Sequence, residues 1–130
     1  MFRSLIPVVA LLAVAAGGFL VAGEARAGGA DVVDVKVLHM KKSGPNIYRF
    51  RVTVRHADTG WDHYANSWDV VGPDGTVLGT RVLHHPHENE QPFTRYHDLE
   101  VPPGIRTVTV RAGDKVHGFS GQTMEVTLPD

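Results

Sequence analysis

The alternation of apolar and polar side chains after residue 28 predicts β-structure. The clearest segment is 47–56, where every second residue is apolar or carries a ring. One face of this segment holds Tyr48, Phe50, Val52, Val54 and His56. Neither a helical period nor an internal repeat follows residue 28, so the pattern predicts an all-β fold.

Turn signals divide this β-rich region into seven strands. Segment 72–75 (Gly-Pro-Asp-Gly), for example, has proline at the second position of a tight turn. The predicted strands are 32–40, 47–56, 67–71, 76–83, 93–101, 105–112 and 122–128. Seven short strands within about 100 residues predict a two-sheet sandwich, with Trp68 and Val70 of the third strand facing inward.

These strands and Trp68 resemble an immunoglobulin-like or fibronectin-III-like β-sandwich over the whole of 28–130. The resemblance implies a seven-stranded sandwich with functional loops at its ends. The chain departs from antibody domains because it lacks the cysteine pair that joins the sheets, and because no tyrosine corner is visible. The chain also resembles small uncharacterised exported proteins of bacteria. This second resemblance rests on the export signal in the first 27 residues, described below, on the His-His-Pro-His segment 84–87 and on the final Gly-rich turn. Neither resemblance implies an activity.

The first 27 residues have the composition of an export signal. Arg3 supplies the positive charge, segment 5–16 is apolar, and Ala25-Arg26-Ala27 fits the small-x-small cleavage pattern. We expect cleavage after Ala27, which leaves one domain, 28–130. The alternative is an uncleaved membrane anchor, since 5–22 is almost long enough to span a bilayer, but Gly17 and Gly18 interrupt it. The signal predicts a periplasmic or secreted protein without stable membrane insertion after cleavage.

Composition excludes several classes of function. The chain has 13 basic and 14 acidic residues, so it lacks the basic character that nucleic-acid binding requires. It has no cysteine, which excludes disulfides, thiolate metal sites and a lipid anchor on cysteine. No nucleophile elbow, phosphate loop or dinucleotide fingerprint is present, so we predict a non-catalytic protein. Copper enzymes with an N-terminal histidine ligand are disfavoured, because the predicted first residue is Gly28.

The distribution of histidine is the most informative chemical feature. All eight histidines follow residue 38, and three of them lie within 84–87. If successive strands alternate in direction, connections 57–66, 84–92 and 113–121 meet at one end of the sandwich, which we call the tip. We expect the tip to hold five histidines, with His56 at the adjacent strand end.

Two functional interpretations remain open for the tip. In the first, it is a non-catalytic binding module that contacts an envelope protein or a glycan. Its predicted contact residues are Trp61, Asp62, Tyr64 and Glu90. In the second, it binds Zn²⁺ or Cu²⁺, because imidazole suits both ions. The predicted ligands are His63, His84, His85, His87, Glu88 and His117.

A purely structural interpretation is also open. His56 and His97 lie within strand patterns and are expected to be packed or surface residues. The amides and carboxylate of segment 89–91 are expected to order the long loop through backbone hydrogen bonds. Phe93 would then anchor that loop in the core.

Overall fold

The computed structural model describes residues 28–130, and the predicted export signal lies outside them. The described chain forms seven strands, each close to its predicted bounds, which confirms the all-β class. They are β1 (Asp31–His39), β2 (Ile47–Arg55), β3 (Ala65–Val71), β4 (Val77–Val82), β5 (Phe93–Glu100), β6 (Thr107–Asp114) and β7 (Met124–Thr127).

The strands form two antiparallel sheets, with orders β1-β2-β5 and β4-β3-β6-β7. Strands β4 and β5 are consecutive in sequence but belong to different sheets. The His-rich segment between them therefore crosses from one sheet to the other, over the end of the sandwich.

The core lies between the two sheets, as the alternation in β2 predicts. Phe50, Val52 and Val54 are fully buried, while Arg51 and Arg55 on the other face of the strand are exposed. The facing sheet contributes buried side chains from β3 and β6, namely Trp68, Val70, Val108, Val110 and Ala112. Burying an aliphatic side chain of this kind contributes roughly 1.5–3 kcal/mol. The core cluster extends from Ala30 to Leu128, so residues 28–130 contain both sheets and the core between them.

The three segments of the tip meet at one end of the sandwich. The Asp58 carboxylate accepts the main-chain N–H of His87, and the main-chain N–H of Lys115 donates to the Tyr64 carbonyl. These bonds join the β2–β3, β4–β5 and β6–β7 connections. Within 28–130, the structure has no helix with the length and apolar character needed to cross a membrane.

Candidate metal centre

Three imidazole rings converge on one oxygen of Asp114, the last residue of β6. This oxygen, Oδ2, lies 3.1 Å from His56 Nε2, 3.1 Å from His117 Nδ1 and 3.5 Å from His63 Nε2. The other oxygen, Oδ1, accepts the main-chain N–H groups of Val116 and His117. The backbone of the turn after β6 thus fixes one carboxylate oxygen and leaves the other facing the rings.

The Asp114 carboxyl is buried, yet its pKa lies below its ordinary value. Burial acts to raise the pKa, but hydrogen bonds from the main chain and ring of His117 and from the Val116 N–H lower it by more. The positive charge available on His56 lowers the pKa further. The tip therefore contains a buried carboxylate that carries its negative charge at neutral pH.

His56 follows β2 and continues its inward face into the tip, where it is 3% exposed. Its Nδ1 lies 2.5 Å from Asp58 Oδ1, and its Nε2 lies 2.8 Å from the Gly28 carbonyl oxygen. Toward the Gly28 and Asp114 oxygens, which are both acceptors, Nε2 donates an N–H, whereas toward an ion it would offer its lone pair while Nδ1 donates to Asp58. Histidines that bind metals are usually oriented in this way, by a carboxylate on the nitrogen that does not touch the ion.

The distances among three of these donor atoms fit a single metal ion. His56 Nε2, His63 Nε2 and Asp114 Oδ2 are separated from one another by 3.1, 3.2 and 3.5 Å. Tetrahedral ligands about 2.0–2.1 Å from zinc lie roughly 3.3–3.4 Å apart. An ion can therefore touch all three atoms at normal bond lengths without rearrangement of the fold.

The remaining side of the cluster is formed by His117 and Gly28. The His117 and His63 rings have centroids 4.9 Å apart, and both side chains are partly open to solvent. Gly28 has a positive φ of 88°, and a Cβ placed there would lie 2.6 Å from His117 Cε1. Glycine is therefore required at this position for the His117 ring to lie where it does.

Asp58 holds the segments of the tip together from beneath the cluster. Besides the His56 ring, its buried carboxylate accepts the main-chain N–H of Ala65 at 3.0 Å and that of His87 at 2.6 Å. One side chain thus links the end of β2, the start of β3 and the His-rich loop. The sequence analysis did not select Asp58, His56 or Asp114 as site residues.

The predicted metal ligands do not all come together. His63 and His117 lie at the cluster around Asp114, whereas His84, His85 and Glu88 are exposed on the loop. The His85 Nδ1 donates to the neighbouring Pro86 carbonyl at 3.0 Å. The loop crosses between the sheets and directs these side chains outward, so the density of histidines in 84–87 does not correspond to a cluster of donor atoms.

His87 is the buried member of the loop, and its surroundings make it a packed residue. Its ring stacks on Phe93 with centroids 4.0 Å apart, and Arg95 donates to its Nε2 at 2.8 Å. Its Nδ1 has no hydrogen-bond partner and lies 4.0 Å from Asp58 Oδ2. Burial above all, then the charges of Arg95 and His85, lowers the pKa of His87, and Glu90 and Asp58 offset this only in part. Its nitrogens therefore face Arg95 and Asp58 and are not among the donor atoms that converge on Asp114.

We expect His87 to make the stability of the domain depend on pH. In the unfolded chain the ring accepts a proton near pH 6.5, but in the folded chain it does so only at lower pH. The free energy of unfolding should therefore have its full value above about pH 6.5 and should fall as the pH decreases below it. Urea unfolding at about pH 7.5 and about pH 5 should show a smaller difference in the free energy of unfolding for His87→Gln than for the wild-type protein.

The control is His84→Gln, which changes an exposed ring of the same loop. Equal pH dependence in the two variants would contradict this assignment.

Within segment 89–91, Gln91 makes the predicted backbone hydrogen bonds, whereas Asn89 is exposed and Glu90 pairs with the Arg95 side chain. The Gln91 side chain donates to the His87 carbonyl and accepts the His56 main-chain N–H, both at 2.9 Å. Phe93 is 1% exposed and packs beneath the loop. The loop is thus ordered by backbone bonds and by one buried aromatic ring.

The predicted contact residues lie on the outer surface of the tip. Trp61 is 61% exposed and meets Tyr64 edge to face, with centroids 5.7 Å apart. Asp62 is exposed, and Glu90 forms an exposed ion pair with Arg95 at 3.3 Å. All four residues are therefore separate from the donor atoms around Asp114.

Fold and site together define an all-β domain of two sheets with a histidine–carboxylate cluster at one end. Comparison with known proteins adds one relative, a protein of Halomicrobium mukohataei named "Putative lipoprotein". It is 43% identical over 97 residues, which are 75% of this chain and 46% of that protein. The match thus spans about half the length of that relative. No family model matches the chain, and no solved structure matches it.

Proposed function

We propose that this protein binds a divalent transition-metal ion, Zn²⁺ or Cu²⁺, at its tip. The side-chain ligands are His56, His63 and Asp114, with His117 beside them. The observation that supports this proposal is the mutual separation of three donor atoms, 3.1, 3.2 and 3.5 Å, two from the β2–β3 connection and one from the end of β6.

The chemistry of the cluster supports the same ions. Imidazole nitrogens and a carboxylate oxygen are good ligands for zinc and copper. Asp58 supplies the outer carboxylate that orients a metal-binding histidine. His63 and His117 are partly exposed, which gives an ion a way in from solvent. Without an ion, the same distances describe contacts between ring N–H groups and Asp114, and a metal titration separates the two states.

The setting proposed for this function is an exported, non-catalytic, immunoglobulin-like domain. The export signal in the sequence and the printed name of the relative support a protein of the cell envelope or the medium. The immunoglobulin-like type is supported by the passage of the chain from one sheet to the other between β4 and β5, and by the buried Trp68 on β3.

A second candidate function is contact with an envelope protein or a glycan through the outer surface of the tip. The observation in its favour is the exposure of Trp61, Val116 and Phe119, at 61%, 59% and 45%. Metal binding at the Asp114 cluster does not require these side chains. A module of this second kind would show no response to Zn²⁺ in the following experiment.

Zn²⁺ should raise the thermal stability of the domain strongly. An ion that binds only the folded state stabilises it by about 2.7 kcal/mol when its free concentration is 100 times the Kd. For a domain of this size, this corresponds to a rise in Tm of roughly 10–20 °C. The measurement is calorimetric unfolding with EDTA and with increasing Zn²⁺, repeated with Cu²⁺.

Two histidine variants provide the matched comparison. His63→Ala removes a partly exposed ligand and should abolish most of the rise in Tm, whereas His85→Ala removes an exposed ring outside the cluster and should preserve it. Absence of any rise in the wild-type protein would refute the proposed function. A loss in His85→Ala equal to that in His63→Ala would show that the ion binds to the His-rich loop.

A further inference from the structure

The main chain of Gly28 is part of the surface that faces the candidate metal centre. Its carbonyl oxygen lies 2.8 Å from His56 Nε2, the same nitrogen that faces Asp114 and His63. The His117 ring covers the side of Gly28 where a side chain would project. Gly28 is also the residue that cleavage after Ala27 would make the first of the exported protein.

We propose that removal of residues 1–27 completes the metal centre. The α-amino nitrogen and the carbonyl oxygen of Gly28 then bind the ion together, beside His56, His63 and Asp114. This inference rests on the proposed function and adds to it a ligand that only the processed chain possesses.

The chemistry of the terminus explains why processing matters. In the precursor the nitrogen of Gly28 belongs to a peptide bond, and its lone pair is delocalised into the carbonyl group. After cleavage it is an amine, which resembles imidazole as a nitrogen donor for zinc and copper. An ion, the amine nitrogen, Cα, the carbonyl carbon and its oxygen close a five-membered chelate ring.

The start of the domain is held in position by the segment that carries His117 and its neighbours. The main-chain N–H of Val32 donates to the Gln122 carbonyl at 2.8 Å, and the Gln122 N–H donates to the Asp31 carboxylate at 2.7 Å. A Cβ on Gly29 would lie 2.7 Å from Ser120 Oγ, so the two segments lie too close for a side chain there. The terminus is therefore fixed beside the cluster by contacts that need no ion, as a preorganised ligand requires.

The consequence is that the processed protein binds the ion more tightly than its precursor. Removal of the signal therefore favours metal loading, because the precursor lacks one nitrogen donor.

The direct experiment compares two forms of the domain. One begins at Gly28 with a free amine, and the other begins at Arg26, so that the Gly28 nitrogen lies in a peptide bond. Both contain the complete core described above. Calorimetric titration with Cu²⁺ and with Zn²⁺ should give a Kd lower by about tenfold or more for the form that begins at Gly28. Affinities equal within about twofold would overturn the inference.

A spectroscopic measurement identifies the ligand itself. Both forms are labelled with ¹⁵N in glycine only and loaded with Cu²⁺. Pulsed electron paramagnetic resonance should show ¹⁵N coupling to the copper in the form that begins at Gly28 and none in the form that begins at Arg26. If ¹⁵N coupling is absent from both while Cu²⁺ binding still depends on His63, the metal centre exists without the terminus and only this inference fails. If neither form binds Cu²⁺ or Zn²⁺, the proposed function fails with it.

Discussion

Replacing Asp58 by alanine should lower the free energy of unfolding by about 3–5 kcal/mol. The Asp58 carboxylate is buried and accepts three hydrogen bonds, from the His56 ring and from the main-chain N–H groups of Ala65 and His87. Alanine leaves all three donors buried without an acceptor, and each unsatisfied donor costs about 1–3 kcal/mol. The loss is large because the three donors lie on the end of β2, the start of β3 and the His-rich loop.

The same substitution should weaken metal binding. Without the carboxylate on its Nδ1, the His56 ring loses the group that fixes its orientation and its tautomer. Loss of such an outer carboxylate typically lowers metal affinity about 10–100-fold. The Kd for Zn²⁺ should therefore rise by this factor in Asp58→Ala, even at temperatures where the variant is fully folded.

The matched control is Asp62→Ala, which removes an exposed carboxylate from the same connection. Its effect on the free energy of unfolding should lie within about 0.5 kcal/mol. Urea unfolding in EDTA measures stability without metal, and calorimetry then measures the Kd for Zn²⁺ separately. If the two variants have equal stability in EDTA, Asp58 does not hold the tip together, and the role assigned to it is wrong.

The strands were predictable because their signals are local. In β2, period-two alternation places Phe50, Val52 and Val54 on one face, and those side chains form the centre of the core. Turn residues between the apolar segments give the number of strands. The order of the strands within each sheet depends on contacts between distant segments, and the sequence contains no local signal for it.

The same pattern predicted the position of His56, which was placed on the inward face of the second strand beside the tip, although not as a ligand. It directly follows β2 and is buried at the end of the core. Asp114 lies in the connection 113–121 that the sequence placed at the tip, but its position at the inner end of a strand was not predicted, because the predicted sixth strand ended at 112 and the observed strand ends at 114. Gly113 weakens the strand signal there, and a Cβ at this position would lie 2.9 Å from the Phe119 ring, which would have to shift.

The density of histidines in 84–87 directed the sequence analysis to this loop, whereas the three donor atoms that converge in the structure belong to His56, His63 and Asp114. Neighbouring residues of an exposed loop cannot all face one point. Here only His87 turns inward, where its ring stacks on Phe93 and its Nε2 accepts a hydrogen bond from Arg95. The donor atoms that do converge come from residues far apart in sequence, such as His56 and Asp114. Their strands, β2 and β6, belong to different sheets, so the packing of the two sheets brings these residues together and no motif of fixed spacing marks the site.

Replacing Phe93 by alanine should destabilise the domain by about 3–5 kcal/mol and loosen the His-rich loop as well. Phe93 begins β5, pairs with Val54 of β2 and is 1% exposed. Its ring also supports the His87 ring, at a centroid distance of 4.0 Å. Alanine therefore opens a cavity under the loop and removes the surface on which His87 is packed.

The comparison that isolates this role is Phe119→Ala, since Phe119 belongs to the same tip, is 45% exposed and stacks on Arg111. We expect its cost to stay below about 1 kcal/mol, because much of the ring is already in water. Amide hydrogen exchange should accelerate in segment 84–91 of Phe93→Ala under conditions where the β3 and β6 amides remain protected. Unchanged exchange in 84–91, despite the loss of stability, would mean that Asp58 and Gln91 are sufficient to order the loop and that Phe93 acts only in the core.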